Sequence, residues 1–140
     1  MKVDKKVQEA LELAIKARKN AYADLTKVKV GAAIKIKGHD EIYSGCNVEY
    51  IVTGISTCAE RNALGNIVTH KGKPELEFVV VTSNTEPALY PCGVCLQAMA
   101  EFCQSDLKIY IADDTQVIDQ TTFKDLMPHQ YSELPKVKSE

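Results

Sequence analysis

The sequence predicts an α/β protein, a three-layer α/β/α sandwich on a mixed sheet of about five strands. Three observations support this fold class. The chain begins with a one-faced helical pattern, continues with two stretches that alternate like strands, and then alternates short apolar runs with helical segments. At 140 residues the chain is long enough for one core, so we expect a single domain over residues 1–140.

The first elements are a helix and a hairpin. Residues 3–23 carry apolar side chains on one helical face, at Val7, Ala10, Leu11, Ala14, Ile15 and Ala17. Residues 28–37 alternate with the period of a strand, and "GHDE" is typical of a turn. Residues 42–48 then form the returning strand.

A helix and a buried strand follow. Thr57 can N-cap a helix from Cys58 to about Val68, with Glu60 as the third residue of a capping box. The run "LEFVVVTS" is continuously apolar in its middle, which is typical of a strand buried on both faces.

A second short helix and another buried strand complete the pattern. Pro91 opens the helix "CGVCLQAMAEFC", and "LKIYIAD" is the strand. After Asp125 the sequence indicates a turn and an extended segment, and we expect residues 132–140 to form a flexible tail.

The composition excludes several classes of protein. With 45% hydrophobic residues, 26% charged residues and a net charge of −2, the chain is globular and lacks the basic surface typical of nucleic-acid partners. We see no signal peptide, and no apolar run approaches the about 20 residues that span a bilayer. We therefore expect a cytoplasmic protein with no membrane partner, in which five cysteines indicate metal binding or chemistry.

Cys58, Cys92 and Cys95 allow three interpretations. A redox pair would use only Cys92 and Cys95 and would leave the Cys-Ala-Glu segment unexplained. A structural zinc site needs four protein ligands, and neither Cys103 nor His70 has a suitable spacing to be the fourth. A catalytic zinc site needs only three thiolates, because water takes the remaining position.

The catalytic interpretation also gives roles to the neighbouring charges. Both cysteine motifs fall at helix starts, where the backbone dipole stabilises thiolates. Three thiolates leave a negative centre, and Arg61 is placed to donate to the sulfurs. Glu60 can take a proton from water and pass it to a substrate nitrogen without being a ligand.

Cys-Ala-Glu followed by Pro-Cys-x-x-Cys is the signature of zinc deaminases. The chain resembles the small homotetrameric cytidine deaminases over roughly residues 5–131. The segments that carry this resemblance are "VGAA" (30–33), "GCNVE" (45–49), "CAERNAL" (58–64), "PCGVCLQ" (91–97) and "LMP" (126–128). The resemblance implies a cytidine deaminase-like fold, one zinc ion per subunit on the three cysteines, and Glu60 as the proton shuttle.

The resemblance also implies substrate contacts. Asn47 and Glu49 would hydrogen-bond the ribose 3′-hydroxyl, and they alternate along an extended segment and so point the same way. The backbone of Ala59 would hold the base edge, and Gln97 would brace the site. We expect Cys46 and Cys103, by contrast, to be core thiols.

Two rings of the family pattern are missing. The phenylalanine that packs on the pyrimidine is Val28 here, followed by Lys29 where the family usually has proline, and a tyrosine near a neighbouring subunit's sugar is Thr53. Each lost ring costs on the order of 1–3 kcal/mol of binding. The site is therefore either a weaker cytidine site or a roomier one that accepts cytidine substituted on N4.

Other positions also depart from the family pattern. The usual serine before Pro-Cys is Tyr90, an arginine is Leu96, and the C-terminal phenylalanine near the substrate is Tyr131. Tyr50, Tyr90 and Tyr131 are the rings that could rebuild an aromatic wall.

The resemblance implies hydrolytic deamination of cytidine, deoxycytidine or N4-substituted cytidines by a homotetramer whose subunits share their sites. The alternatives are a deaminase of another aminated heterocycle, similar to the blasticidin-type deaminases, and a zinc-stabilised nucleoside-binding protein without turnover. Polynucleotide deamination is disfavoured, because those relatives generally have histidine as the first ligand and more basic surfaces.

Overall fold

The computed structural model describes residues 1–139. The helices and strands within this part of the chain are α1 (Lys5–Arg18), β1 (Val30–Ile36), β2 (Ile42–Cys46), α2 (Ala59–Lys71), β3 (Leu76–Ser83), α3 (Gly93–Ala100), β4 (Lys108–Ala112), β5 (Val117–Thr122) and α4 (Phe123–Leu126). A single 3-10 turn, Thr53–Ile55, precedes α2.

The described strands form one mixed sheet in the order β2-β1-β3-β4-β5. Only β3 and β4 run parallel, and α3 lies in the connection between them, as parallel neighbours require a crossover. The other three pairings are antiparallel. The predicted fold class, a mixed sheet of about five strands between helices, is confirmed.

The two faces of the sheet bury separate cores. Along β1, Ala33 packs with α1, whereas Ala32 and Ile34 pack with α2 and α3. β3 divides in the same way, with Val80 on the α1 side and Val81 on the α2 and α3 side. This alternation places α1 alone in one outer layer and α2 with α3 in the other, which gives the three layers.

Two glycines let the helices approach the sheet closely. A Cβ at Gly31 would lie 1.9 Å from the Ala14 carbonyl oxygen of α1. A Cβ at Gly45 would lie 2.5 Å from the Ala63 nitrogen and 2.7 Å from the Ala59 carbonyl oxygen of α2. Gly45 therefore seats the first turn of α2 directly against β2.

The boundaries of the helices differ from the sequence prediction at both ends: α1 ends at Arg18 rather than near residue 23, and α3 ends at Ala100 rather than at Cys103. The N-cap of α1 is Asp4, whose carboxylate accepts a hydrogen bond from the Val7 N–H at 3.0 Å. The N-cap of α2 is Cys58 rather than Thr57, so the predicted capping box is wrong. Glu60 is instead the second helical residue, and its side chain is buried.

The sequence prediction assigned no element to β5 or to α4. β5 is an edge strand with an alternating but mostly polar sequence, and only Val117 is fully buried. An aspartate turn introduces it, because the Asp113 carboxylate accepts from the N–H groups of Thr115 at 2.8 Å and Gln116 at 2.9 Å.

After Leu126 the described residues contain no helix or strand. The predicted tail, residues 132–140, ends in Glu140, which lies outside the described residues. Among residues 1–139, no helix combines the length and the apolar character that crossing a bilayer would require.

Candidate functional site

Two helix N-termini bring three cysteines together. Cys58 is the N-cap of α2, Cys92 is the N-cap of α3, and Cys95 lies one turn into α3. Their three sulfur atoms lie within 4.8 Å of one another. Neither N-cap thiol accepts a hydrogen bond from a backbone N–H of its own helix, which leaves both sulfurs available to a ligand.

The cluster fits a zinc ion. Tetrahedral Zn–S bonds of about 2.3 Å place two thiolates about 3.8 Å apart, and the Cys58 and Cys92 sulfurs are 3.9 Å apart. Within residues 1–139 no further Cys, His, Asp or Glu side chain joins the cluster, so Cys46 and Cys103 are not ligands. The predicted cofactor, one zinc ion per chain on three cysteines, is confirmed by this donor set.

The cluster stabilises negative charge on the Cys58 sulfur. The pKa of Cys58 is lowered to about 5, because Cys95 donates a hydrogen bond to its sulfur and Arg61 adds a second. The guanidinium Nη2 of Arg61 lies 3.8 Å from that sulfur. The same contact to Cys58 raises the pKa of Arg61. Arg61 therefore places a positive charge beside the Cys58 sulfur.

Glu60 is buried beside the three thiols, with 4% of its surface exposed. Burial raises the pKa of its carboxyl to about 7, and the neighbouring Cys58 thiolate adds to this shift. Its place in the first turn of α2 directs a carboxylic group toward the cavity that the thiols border. The arrangement supplies a proton carrier next to a metal site.

A cavity of about 350 Å³ opens in front of Cys58, Glu60 and Cys92. The residues that line it are Thr26, Val28, Val30, Asn47, Glu49, Cys58, Ala59, Glu60, Val81, Leu89, Tyr90 and Cys92. We call Cys58, Ala59, Glu60 and Cys92 the metal wall, and residues 26–30 the segment wall. The volume lies within the range of small-molecule sites.

Asn47 holds one edge of the segment wall. Its side-chain Oδ1 accepts from the Val30 N–H at 2.8 Å, and its Nδ2 donates to the Val28 carbonyl at 2.8 Å. The backbone N–H of Asn47 also donates to the Val30 carbonyl, at 3.3 Å. An amide that accepts one backbone hydrogen bond and donates another replaces the bonds of a neighbouring strand. These bonds use one of the two N–H groups of Nδ2 and leave the second as a further donor.

Asn84 holds the other edge of the segment wall in the same way. Its Oδ1 accepts from the Lys29 N–H at 2.9 Å, and its Nδ2 donates to the Lys27 carbonyl at 3.0 Å. Its backbone N–H donates to the Lys29 carbonyl at 3.2 Å. Asn84 and the Ala23 carbonyl, which accepts from the Lys27 N–H at 2.8 Å, hold Lys27 in the left-handed region, with φ at 64°, which a lysine seldom adopts unless its surroundings hold it there.

Glu49 is held by Thr26, at the start of the segment wall. The Thr26 hydroxyl donates to Glu49 Oε1 at 2.9 Å and accepts from the Val28 N–H at 3.1 Å. The carboxylate of Glu49 therefore has a fixed position on the cavity lining.

The structure brings most of the predicted site residues together. Asn47, Glu49, Val28 and the metal wall line one cavity, with Cys95 and Arg61 behind the metal wall. Their roles toward a substrate stay predictions.

Gln97 and Tyr131 lie elsewhere in the single chain. The Gln97 side chain donates to the Tyr131 carbonyl at 2.9 Å and accepts from its N–H at 3.2 Å, on the outer side of α3. Within one chain neither residue lines the cavity, and Thr53, in the exposed 3-10 turn, does not line it either.

Sequence reasoning missed several residues of the cavity. Thr26 and Val30 line it, and Asn84 supports it from outside. Replacement of the usual proline by Lys29 was a possible signal, because Lys29 has an N–H that needs a partner. Tyr90 was named only as one of three possible rings. It lines the cavity, whereas Tyr50 and Tyr131 do not.

Comparisons with known proteins agree with this geometry. A family model described as the cytidine and deoxycytidylate deaminase zinc-binding region matches residues 4–111. The chain is 35% identical to a cytidine deaminase of Sporosarcina psychrophila, over 90% of this chain and 91% of that protein. It is 33% identical to a cytidine deaminase of Halalkalibacterium halodurans, over 89% of this chain and 93% of that protein.

Solved structures show the same likeness. The crystal structure of cytidine deaminase from Burkholderia pseudomallei superimposes with a TM-score of 0.82 at 31% identity, over 89% of this chain and 98% of that chain. A more distant relative is a blasticidin-S deaminase of Bacillus cereus, 26% identical over 89% of this chain and 91% of that protein.

Proposed function

The chain belongs to the cytidine and deoxycytidylate deaminase family, hydrolases of carbon–nitrogen bonds, and on that premise we propose that it deaminates pyrimidine nucleosides. The substrates are cytidine, deoxycytidine or their N4-substituted relatives, and the products are uridine or deoxyuridine with ammonia or an amine. The observation that carries the proposal is the buried Glu60, placed between a three-thiol metal site and a nucleoside-sized cavity.

Cys58, Cys92 and Cys95 would hold the zinc ion, and Arg61 offsets their negative charge. When bound there, zinc supplies Lewis-acid activation of the water that attacks carbon C4. Glu60 accepts a proton from that water and donates it to ring nitrogen N3. It would then take the proton of the new C4 hydroxyl and deliver it to the exocyclic nitrogen, which leaves as ammonia or an amine while the C4 carbonyl forms.

The rest of the cavity orients the nucleoside. We propose that Asn47 and Glu49 bind the ribose 3′-hydroxyl, Glu49 as the acceptor and the spare Asn47 N–H as a donor. Support comes from their position on one lining, with the carboxylate fixed by Thr26. The backbone of Ala59 contacts the base edge, and Val28 contributes to the face of the base.

We also propose a homotetramer in the cytoplasm, with no nucleic-acid or membrane partner. The proposal of shared sites is supported by the position of Tyr131, which is held by Gln97 on α3 and does not line the metal-side cavity of its own chain. Light scattering that finds an active monomer would contradict this arrangement.

A second candidate is deamination of a larger aminated heterocycle. The observation that favours it is the absence of rings at Val28 and Thr53, together with the likeness to a blasticidin-S deaminase. The chemistry on the metal wall is the same for both candidates, and only the occupant of the cavity differs.

The test is a turnover panel of the zinc-loaded protein, read by product mass. The panel contains cytidine, deoxycytidine, N4-methylcytidine, cytosine, adenosine and blasticidin S. We expect conversion of the cytidines and a loss of roughly 10²–10⁴-fold in kcat for Glu60→Gln with zinc retained. Glu12→Gln, an exposed carboxylate of α1, is the matched control.

The outcomes separate the candidates. Turnover of blasticidin S alone would favour the second candidate. Silence over the whole panel with zinc bound would favour a binding protein without turnover, and a Glu60→Gln variant with a normal rate would remove Glu60 from the mechanism.

A further inference from the structure

Tyr90 is the one aromatic side chain among the described residues that line the cavity. The apolar side chains that share the lining are aliphatic: Val28, Val30, Val81 and Leu89. Tyr90 is 47% exposed, so its ring lies at the cavity rim with one part facing the interior and one part facing solvent. A tyrosine ring at such a place offers a rigid flat face at a low cost in conformational entropy.

The ring is held from behind by β5. The Tyr90 hydroxyl donates to Oδ2 of Asp119. Asp119 pairs with Ile111 of β4, so it lies on the face of the sheet that carries α2 and α3. The other carboxylate oxygen of Asp119 accepts from the Gln120 N–H at 2.8 Å.

The backbone beside Tyr90 is fixed as well. On one side, the Leu89 N–H donates to the Ser83 hydroxyl at the end of β3, at 3.3 Å. On the other side, Pro91 is buried and leads directly to Cys92 on the metal wall. Tyr90 is therefore joined to the metal wall by one buried residue and lines the same cavity.

We infer that Tyr90 is a specificity-determining residue that packs against the nucleobase, and that Asp119 is the positioning residue that orients it. The inference rests on the proposed nucleoside deaminase function. The ring supplies an aromatic contact that Val28 cannot supply, and it borders the space that a substituent on the exocyclic nitrogen would occupy. The presence of Tyr90 thus favours plain cytidine over bulky N4-substituted cytidines.

The experiment compares four variants, Tyr90→Ala, Tyr90→Phe, Asp119→Ala and Asp119→Asn, on cytidine and N4-benzylcytidine. For Tyr90→Ala we expect KM for cytidine to rise about 10- to 100-fold, as for a lost base-stacking ring, while kcat changes little. For N4-benzylcytidine the loss is smaller, because the removed ring also makes room. The ratio of kcat/KM between the two substrates therefore shifts toward the larger one.

The role of Asp119 is tested by rescue and by coupling. Tyr90→Phe keeps the ring but loses its hydrogen bond, and we expect KM to rise about 2- to 10-fold. Asp119→Ala should match it, and a further variant that combines Tyr90→Phe with Asp119→Ala should lose no more than either single variant. Asp119→Asn, which keeps an acceptor, should restore most of the binding. Tyr50→Ala is the control for loss of an exposed tyrosine ring. Gln120→Ala is the control for a substitution in β5 beside Asp119.

Zinc content and melting temperature show that each variant is folded. An unchanged substrate ratio in Tyr90→Ala overturns the inference about Tyr90, and additive losses in the double variant overturn the role of Asp119. Cytidine binding to zinc-loaded Glu60→Gln protein, by calorimetry with and without Tyr90→Ala, keeps the two proposals apart. Weaker cytidine binding with Tyr90→Ala supports the inference even if the proposed turnover fails. Equal binding with and without Tyr90→Ala overturns it, and so does an absence of cytidine binding to the Glu60→Gln protein itself.

Discussion

The metal wall and the segment wall face each other across one cavity, but they are built differently. On the metal wall, Cys58, Ala59 and Glu60 are three consecutive residues at the start of α2, and Cys92 begins α3 one helical turn before Cys95, which lies behind the wall. The segment wall has no helix or pairing of its own before β1 begins at Val30.

The segment wall depends instead on side chains that are distant in sequence. Every backbone N–H and C=O from Lys27 to Val30 is hydrogen-bonded, most of them to Asn47 or Asn84. Apart from the Thr26 hydroxyl, no side chain of the segment wall takes part in these backbone hydrogen bonds. Val28 can therefore replace a ring without disturbing the backbone, whereas the metal wall has no comparable freedom.

Removal of a metal ligand is expected to have the largest effect. Cys95→Ala leaves two thiolates, too few for a stable zinc site, so we expect loss of zinc and of all measurable turnover. Cys103→Ala, a half-buried thiol outside the cluster, should keep both. Zinc content by mass spectrometry and turnover of the same samples measure this. Full zinc occupancy in Cys95→Ala would show that the metal wall is not the metal site.

Loss of the charge behind the metal wall should have the next largest effect. Arg61→Ala removes the donor to the Cys58 sulfur, and we expect zinc affinity to fall about 10- to 100-fold. Competition with a chromogenic chelator measures it. Arg61→Lys keeps the charge, so its zinc affinity should fall between those of the original protein and Arg61→Ala. Equal zinc affinities in the original protein and both variants would contradict the role of Arg61.

On the segment wall the expected effects are on KM. Asn84→Ala leaves the Lys29 N–H and the Lys27 carbonyl without their partner, and with two bonds of about 1 kcal/mol each we expect KM for cytidine to rise by up to about 30-fold. Zinc content and kcat should be unchanged, because Asn84 does not touch the metal wall.

Lys29→Pro in the Asn84→Ala background provides the control. Proline has no N–H to leave unpaired and restricts the backbone, so part of the lost binding should return. A fall in zinc affinity in Asn84→Ala would show that the two walls are coupled after all.

Thr26 should give the smallest effect. Thr26→Val removes the hydrogen bond to Glu49, and since the site is exposed we expect KM for cytidine to rise only about 3-fold. Thr26→Ser keeps the hydroxyl and should behave as the original protein. Deoxycytidine, which keeps the 3′-hydroxyl, should show the same change, and an effect on kcat alone would argue against a role in holding Glu49.

Much of the fold and of the site could be predicted from local patterns. The alternation in β1 and β2, the apolar runs of β3 and β4, and the cysteine spacing predicted the sheet and the zinc ligands. β5 was not predicted, because an edge strand with one fully buried residue has little hydrophobic signal. The helix start at Cys58 was also misplaced by one residue, since cysteine is not a preferred N-cap.

The sequence by itself determined the two local halves of the metal wall, because Cys58 to Glu60 and Cys92 with Cys95 each lie within one helical turn whose geometry is fixed by backbone hydrogen bonding. Only the tertiary structure brought Cys58 and Cys92 together across 34 residues, and it also decided the rest of the cavity. Asn84 and Asp119 reach Lys29 and Tyr90 across gaps of 55 and 29 residues. No local periodicity encodes such contacts, since they form only when the strands of the sheet have been placed side by side.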